Sequence, residues 1–328
     1  MSPTPQVSVL MPVAKVRQYL DLAAQSVLCQ SFPDLELILI DDDGRADELR
    51  TAQRDPRVVV TTSSGKGISD ALNTGIAAAR GKYICRVDCD DLIPADRIAR
   101  QQKWLAEHPD FAAICGAMST MTSDGSPVSD VNARYVTGEI TEELRNGIAR
   151  CSLCTYLLQT DAVRQVGGFR RYFITAEDLD FSFRFGERFR VWYESMPAYW
   201  YRLHDSSITH SQRNNTRAFY EKTARDMQMR RRNGGTDDID AGRPPAPPAD
   251  GSRPRGSAEA VQHLFTGAAW EKHQAGKKLD ALRLGWRACM ARPLTLWSWR
   301  SLAALAFKRA GAGTNDRPAT DKAPNAIR

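Results

Sequence analysis

The chain reads as an α/β protein with a mainly parallel sheet flanked by helices, followed by a smaller helical appendage. Three observations predict this. Over roughly the first 120 residues, short apolar runs of strand length alternate with segments whose apolar residues recur at helical spacing. Runs such as VSVLMPV and LELILI are apolar nearly throughout, as in strands covered on both faces. Two acidic clusters, Asp41-Asp42-Asp43 and Asp88-Cys89-Asp90-Asp91, fall at the carboxyl ends of such runs, where sheets of this kind bind ligands.

Taken in order, VSVLMPV (7–13) is a strand, and residues 17–30 form a helix with Leu20, Ala23, Ala24, Val27 and Leu28 on one face. LELILI (35–40) and RVVVTT (57–62) are strands, and 66–80 is a helix. KYICRV (82–87) is a fourth strand, 94–109 a helix that opens and closes on proline, and FAAICGAM (111–118) a fifth strand. Further on, helices are expected over 139–150, over 161–166 as far as Gly167-Gly168, and over 177–189, which opens with two carboxylates. FRVWYE and PAYWYRLH read as strands. This places one domain over 1–229. Residues 230–257, rich in Arg, Gly and Pro without apolar periodicity, read as a disordered linker. A basic, Trp-rich helical hairpin over 258–310, in two patterns parted near Arg292-Pro293, and a disordered tail over 311–328 complete the chain.

Charge is divided unevenly. Residues 1–210 carry a net −5, whereas 211–328 hold 22 Lys/Arg against 11 Asp/Glu, a net +11 that suits a polyanionic partner or surface. In the hairpin, basic residues beside Trp270, Trp286, Trp297 and Trp299 suit either an anionic membrane surface or a protein partner. No recognition motif accompanies the charge, so nucleic acid is not the expected partner. MSPTPQVSVL lacks the pattern of a signal peptide, and no run of 18 apolar residues is present. The seven scattered cysteines fit reduced, mostly buried thiols in a cytoplasmic protein, and the single C-x-x-C at Cys151 and Cys154 has no second pair.

CRVDCDD (85–91) poses the main chemical question, because it gathers three carboxylates within four positions. Two carboxylates about 4 Å apart repel by roughly 4 kcal/mol at an effective dielectric near 20. Such a cluster is tolerable in water, when it shares protons, or when it holds a cation, for which hard oxygen ligands favour Mg²⁺ or Mn²⁺. A polar turn before the next helix is the plainer alternative.

Three segments taken together resemble the family-2 glycosyltransferases of the GT-A fold: VSVLMPV…LELILIDDDG, GISDALNTGIAAARGKYICRVDCDDLIPADRI and VGGFRRYFITAEDLDFSFRF…YWYRLHDSSIT. The resemblance covers residues 6–209. It implies that Pro12 and Val13 border the nucleotide base and that Asp41 and Asp42, chiefly Asp42, accept hydrogen bonds from it. Asp88 and Asp90, with Asp91, match the D-x-D motif that holds the ribose and a divalent cation, Mn²⁺ or Mg²⁺. His204 matches a further metal ligand, and in the Glu177-Asp178 pair the Asp is the general base. Asp70 and Asn73 lie on the helix before the motif strand, at positions open to a nucleotide or to solvent, and Arg86 pairs with either a phosphate or a neighbouring Asp. Ala14 and Lys15 stand where the family places an aromatic residue and Asn.

The implied activity is a metal-dependent, inverting, hexosyl-type transfer (EC 2.4) in polysaccharide or cell-surface glycan synthesis. The donor would be a nucleotide-diphosphate sugar, with UDP-sugars foremost, and the acceptor a hydroxyl of a glycan or lipid-linked glycan. The expected location is the cytoplasm, including the periphery of the cytoplasmic face of the inner membrane. A catalytically inactive nucleotide-sugar-binding protein of the same fold and a nucleotidyltransferase are the alternatives. The second would normally carry a Gly-rich, Lys/Arg-bearing loop after the first strand, and PVAKVRQ lacks the glycines.

Overall fold

A computed structural model describes residues 4–14, 17–44, 55–131, 135–204, 214–248 and 257–309. The chain divides into two compact units, Met1–Arg255 and Gly256–Arg328.

The first unit is built on one nine-stranded sheet, ordered β3-β2-β1-β4-β8-β5-β9-β7 with β6 paired to β5. Its strands are β1 (Val7–Val13), β2 (Leu35–Asp41), β3 (Val58–Thr62), β4 (Tyr83–Arg86), β5 (Ala113–Thr122), β6 (Pro127–Asp130), β7 (Gly138–Glu139), β8 (Leu157–Gln159) and β9 (Val191–Leu203). Strands β3, β2, β1 and β4 run parallel. Because β8 is antiparallel to both β4 and β5, strands β5 and β9 resume the common direction. The carboxyl ends of β1, β2, β4, β5 and β9 therefore open toward the same side, which is what positions the site.

Both faces of the sheet are covered, which explains the uninterrupted apolar runs. On one face Leu10, Ile38, Ile40 and Ile84 pack with Leu72 and Ile76 of helix α2 (Ile68–Ala78). On the other, Val7, Val9, Met11, Leu37 and Leu39 pack with α1 (Leu20–Leu28) and α3 (Arg97–Glu107). Glu36, near the start of β2, is fully met: Ser8 Oγ donates to it at 2.7 Å, and Arg80 donates from Nε and Nη2 at 2.9 and 2.7 Å. The two strand-like segments expected near the end of this unit are one continuous β9. Its register along β5 jumps between Glu194 and Pro197, a bulge that absorbs a proline lacking an N–H.

Three expectations need correction. The helix expected over 139–150 is only α4 (Thr141–Arg145), because the chain turns through Gly147 at φ +74°, a left-handed conformation that ends a helix. The helices α5 (Thr160–Val166) and α6 (Glu177–Arg188) match the expected spans and are followed by α7 (Asn214–Arg232), a polar helix that the periodicity did not announce. Tyr220, Ala224 and Met227 are its buried stripe. The segment expected to be a disordered linker from 230 is structured as far as 248. There Asp237, fully buried, accepts from Arg170 Nη1 at 2.7 Å and Arg231 Nη1 at 2.5 Å, and Tyr172 Oη donates to the Pro245 carbonyl at 2.7 Å. Charge pairing, invisible to apolar periodicity, fixes this stretch. The rest of the linker, 249–256, and the tail expected over 311–328 lie outside the described residues.

The described residues of the second unit form three helices, α8 (Ser257–Gln274), α9 (Lys278–Ala291) and α10 (Leu296–Phe307), where a hairpin was expected. Gly276, at φ +77°, divides the first expected pattern into two. Gly285 lets α9 and α10 approach closely, since a Cβ there would meet Leu302 and Leu305 at 3.0 and 3.1 Å. No described helix is long and apolar enough to cross a membrane. No described cysteine is in a disulfide, and all but Cys29 are buried.

Candidate active site

The parallel register brings the acidic strand ends together. Val13 pairs with Asp41 across β1 and β2, and the Asp42 N–H donates to the Val13 carbonyl at 3.0 Å. Pro12 pairs with Ile40 one step earlier. Asp41 is buried and accepts from Arg17 Nη2 at 3.3 Å, and Arg17 also binds Asp43. Asp42 accepts the Gly67 N–H at 3.2 Å at the entrance to α2. Burial raises its carboxyl, Ser63 and Gly67 pull it down by hydrogen bonding, and the charges of Asp70 and Asp43 raise it again. Ala14 is described, whereas Lys15 lies outside the described residues.

The Asp88–Asp91 turn is tied to β9. Leu92 and Trp200 exchange backbone hydrogen bonds at 3.1 and 2.8 Å, and the Asp88 N–H donates to Tyr199 Oη at 2.9 Å. Arg202, itself buried, donates from its backbone to Asp91 Oδ1 at 2.7 Å and from Nε to the Asp90 carbonyl at 2.9 Å. Two residues on, His204 Nε2 lies 3.0 Å from Asp90 Oδ2. The Tyr19 ring covers both, 4.5 Å from the Arg202 guanidinium and 5.3 Å from the His204 ring.

The three carboxylates of the turn are thus separated rather than pooled. Asp88 is held by Arg86 through two hydrogen bonds, 2.6 and 3.1 Å, and Asp90 faces His204. Asp91, expected beside them as a metal ligand, is an internal anchor of the turn at 1% exposure. Burial first, then the charges of Asp90 and Asp88, push its carboxyl well above the usual range. Among the described residues no group of three or more His, Cys, Asp or Glu side chains is arranged to hold a metal.

Helix α6 brings the second carboxylate pair. It starts from Ala176 at φ 60°, ψ 20°, the sole non-glycine with positive φ among the described residues, a strained conformation of the kind that gathers at functional sites. Glu177 and Asp178 occupy the first turn, where the helix N-terminus favours negative charge. Asp178 Oδ1 accepts the Leu179 N–H at 2.9 Å. Arg86 Nη1 reaches Glu177 Oε1 at 3.3 Å, so one guanidinium joins Asp88 to Glu177. Burial, and then the Asp178 charge, push the Glu177 carboxyl up to about 7 against the pull of Arg86.

Asp70 and Asn73 turn out to serve the loop before α6. Asn73 donates from Nδ2 to the Phe169 carbonyl and accepts the Phe169 N–H at Oδ1, both at 2.8 Å, which occupies both ends of its amide. Asp70 is paired with Arg171. The neighbouring turn depends on this packing, because a Cβ on Gly168 would lie 2.4 Å from Asn73 Oδ1. Sequence reasoning missed Tyr199, Arg202, Arg17 and Tyr19. The one signal for the first two was their position on the strand that carries His204.

The model of glycosyl transferase family 2 matches residues 8–171, half of the chain. The uncharacterized glycosyltransferase EpsJ of Bacillus subtilis (strain 168) is 31% identical over 149 residues, 43% of this chain and 43% of its own length. TuaG of the same organism, a glycosyltransferase named for teichuronic acid biosynthesis, is 31% identical over 152 residues, 45% of this chain and 60% of its own. The chain therefore spans about half the length of these relatives. Among solved structures, S. aureus TarS 1-349 in complex with UDP-GlcNAc superposes with a TM-score of 0.56 at 16% identity, over 92% of this chain and 91% of the other, a likeness of fold. The fold and the match over half its length agree: the protein belongs to glycosyl transferase family 2.

Proposed function

We propose that the protein transfers a hexosyl-type unit, with inversion, from a nucleotide-diphosphate sugar to a hydroxyl of a glycan or lipid-linked glycan in cell-surface polysaccharide synthesis. The observation that carries this reading is the Arg86 bridge, which sets the Asp88 turn and the Glu177-Asp178 pair on either side of one guanidinium. A donor site and a base are thereby held in fixed relation, as single displacement requires. Asp42, at the end of β2, takes the base of the nucleotide, and Asp88 takes the ribose. Asp178 accepts the proton of the attacking hydroxyl as the nucleoside diphosphate leaves from the opposite face of the sugar, and a single displacement inverts the anomeric centre. Glu177, raised to about 7, limits the negative charge crowded beside Asp178.

The donors at Asp90 and His204 fit a divalent cation. Their facing atoms, Oδ2 and Nε2, are 3.0 Å apart. These two residues would hold the ion, since Mg²⁺-type sites commonly take one or two protein ligands and complete the shell with phosphate and water. When bound there, Mn²⁺ or Mg²⁺ would neutralise charge developing on the leaving diphosphate.

UDP-GlcNAc, the molecule held by TarS, is the first donor to test. Wild-type protein with Mn²⁺ should hydrolyse or transfer from its donor. The Asp178→Asn variant should bind the same nucleotide in a thermal-shift assay yet turn over about 10²–10⁴-fold more slowly. Full turnover in that variant would overturn the reading. The buried, reduced cysteines support a cytoplasmic setting.

A further inference from the structure

Among its described residues the second unit exposes one coherent apolar surface. Along α9, Ala281, Leu284, Ala288 and Cys289 are buried, whereas Leu279, Arg283, Trp286 and Met290 follow one another at i, i+4, i+7 and i+11 on the exposed side. The stripe runs on into the turn before α10. Trp286 packs edge-on against Trp299 with ring centres 5.6 Å apart, and Trp299 Nε1 donates to the Pro293 carbonyl at 2.8 Å. Beyond Pro293, Leu294 and Leu296 are 97% and 74% exposed, and Trp286 is 53% exposed. Leu294 thus stands on the turn between the two helices and Leu296 opens α10.

The surroundings are cationic. Over residues 258–309 nine Lys/Arg face three Asp/Glu. Arg283 lies within the exposed stripe of α9, and the exposed Arg300 follows Leu296 by one helical turn. A protein partner would need a surface shaped for these side chains, whereas a bilayer interface accommodates exposed apolar side chains beside cations without one. Trp suits the interfacial zone, Leu and Met suit the acyl boundary, and arginines that keep their guanidinium groups in the headgroup layer suit anionic lipid.

We infer that the Trp286–Leu294 patch of the second unit docks the protein on an anionic lipid surface. The inference does not depend on the sugar-transfer reaction and stands or falls separately from it.

The test is flotation of the full-length chain with vesicles of phosphatidylcholine alone or with about 30% phosphatidylglycerol. The protein should float with the anionic vesicles and stay behind with the neutral ones, and binding should fall as salt is raised toward about 0.5 M. A Trp286→Ser/Leu294→Ser variant and an Arg283→Glu/Arg300→Glu variant should each lose at least about tenfold in partitioning, with circular dichroism unchanged and melting lowered only slightly in the first, where the Trp286–Trp299 contact is lost. Wild-type binding left intact in both variants would overturn the inference, as would the absence of binding to anionic vesicles. A concentration-dependent dimer that the Trp286→Ser/Leu294→Ser variant abolishes, without vesicle binding, would also overturn it and assign the patch to a second copy.

Discussion

Replacing Glu177 with Gln should stabilise the protein above neutral pH, even though it takes a charged partner from Arg86. The Glu177 side chain is 8% exposed, and burial, then the Asp178 charge, raise its carboxyl from 4.5 to about 7. In the unfolded chain the group returns to its ordinary value. The folded protein therefore keeps a proton that the unfolded chain gives up, so every step in pH between roughly 4.5 and 7 favours unfolding. A difference of about 2.5 pH units at 1.36 kcal/mol each costs the folded state about 3 kcal/mol once both forms are ionised. Gln keeps the shape and an acceptor for Arg86 Nη1 but does not titrate, and Arg86 retains its two bonds to Asp88. Urea unfolding at pH 4.5 and at pH 8 isolates the effect. The two proteins should be nearly matched at the lower pH, and Glu177→Gln should be more stable by about 3 kcal/mol at the higher. A variant that is less stable at pH 8 would refute this reasoning, because it would mean that Glu177 is ionised there and that its ion pair with Arg86 outweighs its burial.

Three further outcomes follow from the same packing. Asp90→Asn should weaken the Mn²⁺-dependent part of nucleotide binding by about tenfold or more while leaving metal-free binding little changed, as read by titration calorimetry with and without the ion. Gly168→Ala should cost about 2–3 kcal/mol in thermal or urea unfolding, since the residue sits at φ +66° and the new Cβ would lie 2.4 Å from Asn73 Oδ1. Asp237→Ala should destabilise by about 1–3 kcal/mol, because it removes the buried carboxylate that Arg170 and Arg231 share while Asp180 and Glu187 still pair with them, and proteolysis should then cut between 233 and 248 before the rest of the unit.

The parts legible in the sequence are those written in local patterns. Strands covered on both faces give apolar runs, so β1, β2 and β4 stand out, and the carboxylates at their ends mark where the sheet opens. Helices α2 and α3 carry one-sided apolar spacing and sit where it put them, and α6 was marked by the two carboxylates that open it. Patterns fail where electrostatics or single dihedral angles decide. Residues 233–248 contain no apolar stripe, and what fixes them is Asp237 between two arginines. The helix expected over 139–150 had its spacing intact, yet the left-handed turn at Gly147 stops it after Arg145.

The site divides along the same line. That the Asp88 turn meets Glu177 and His204 was implied by the family resemblance. How they share the space was not, since that depends on contacts across 91 residues for Arg86 with Glu177 and 114 for Asp90 with His204. Three carboxylates in four positions suggest one acidic pool, but the fold answers their repulsion in three different ways. Asp88 receives a guanidinium, Asp90 an imidazole, and Asp91 a backbone N–H in a buried setting that favours its protonated form. A turn whose three carboxylates each meet a group of the protein's own needs no ion to fold. Any cation would then act on ligand binding and on the reaction rather than on stability, and chelation should leave the melting temperature of the ligand-free protein where it was.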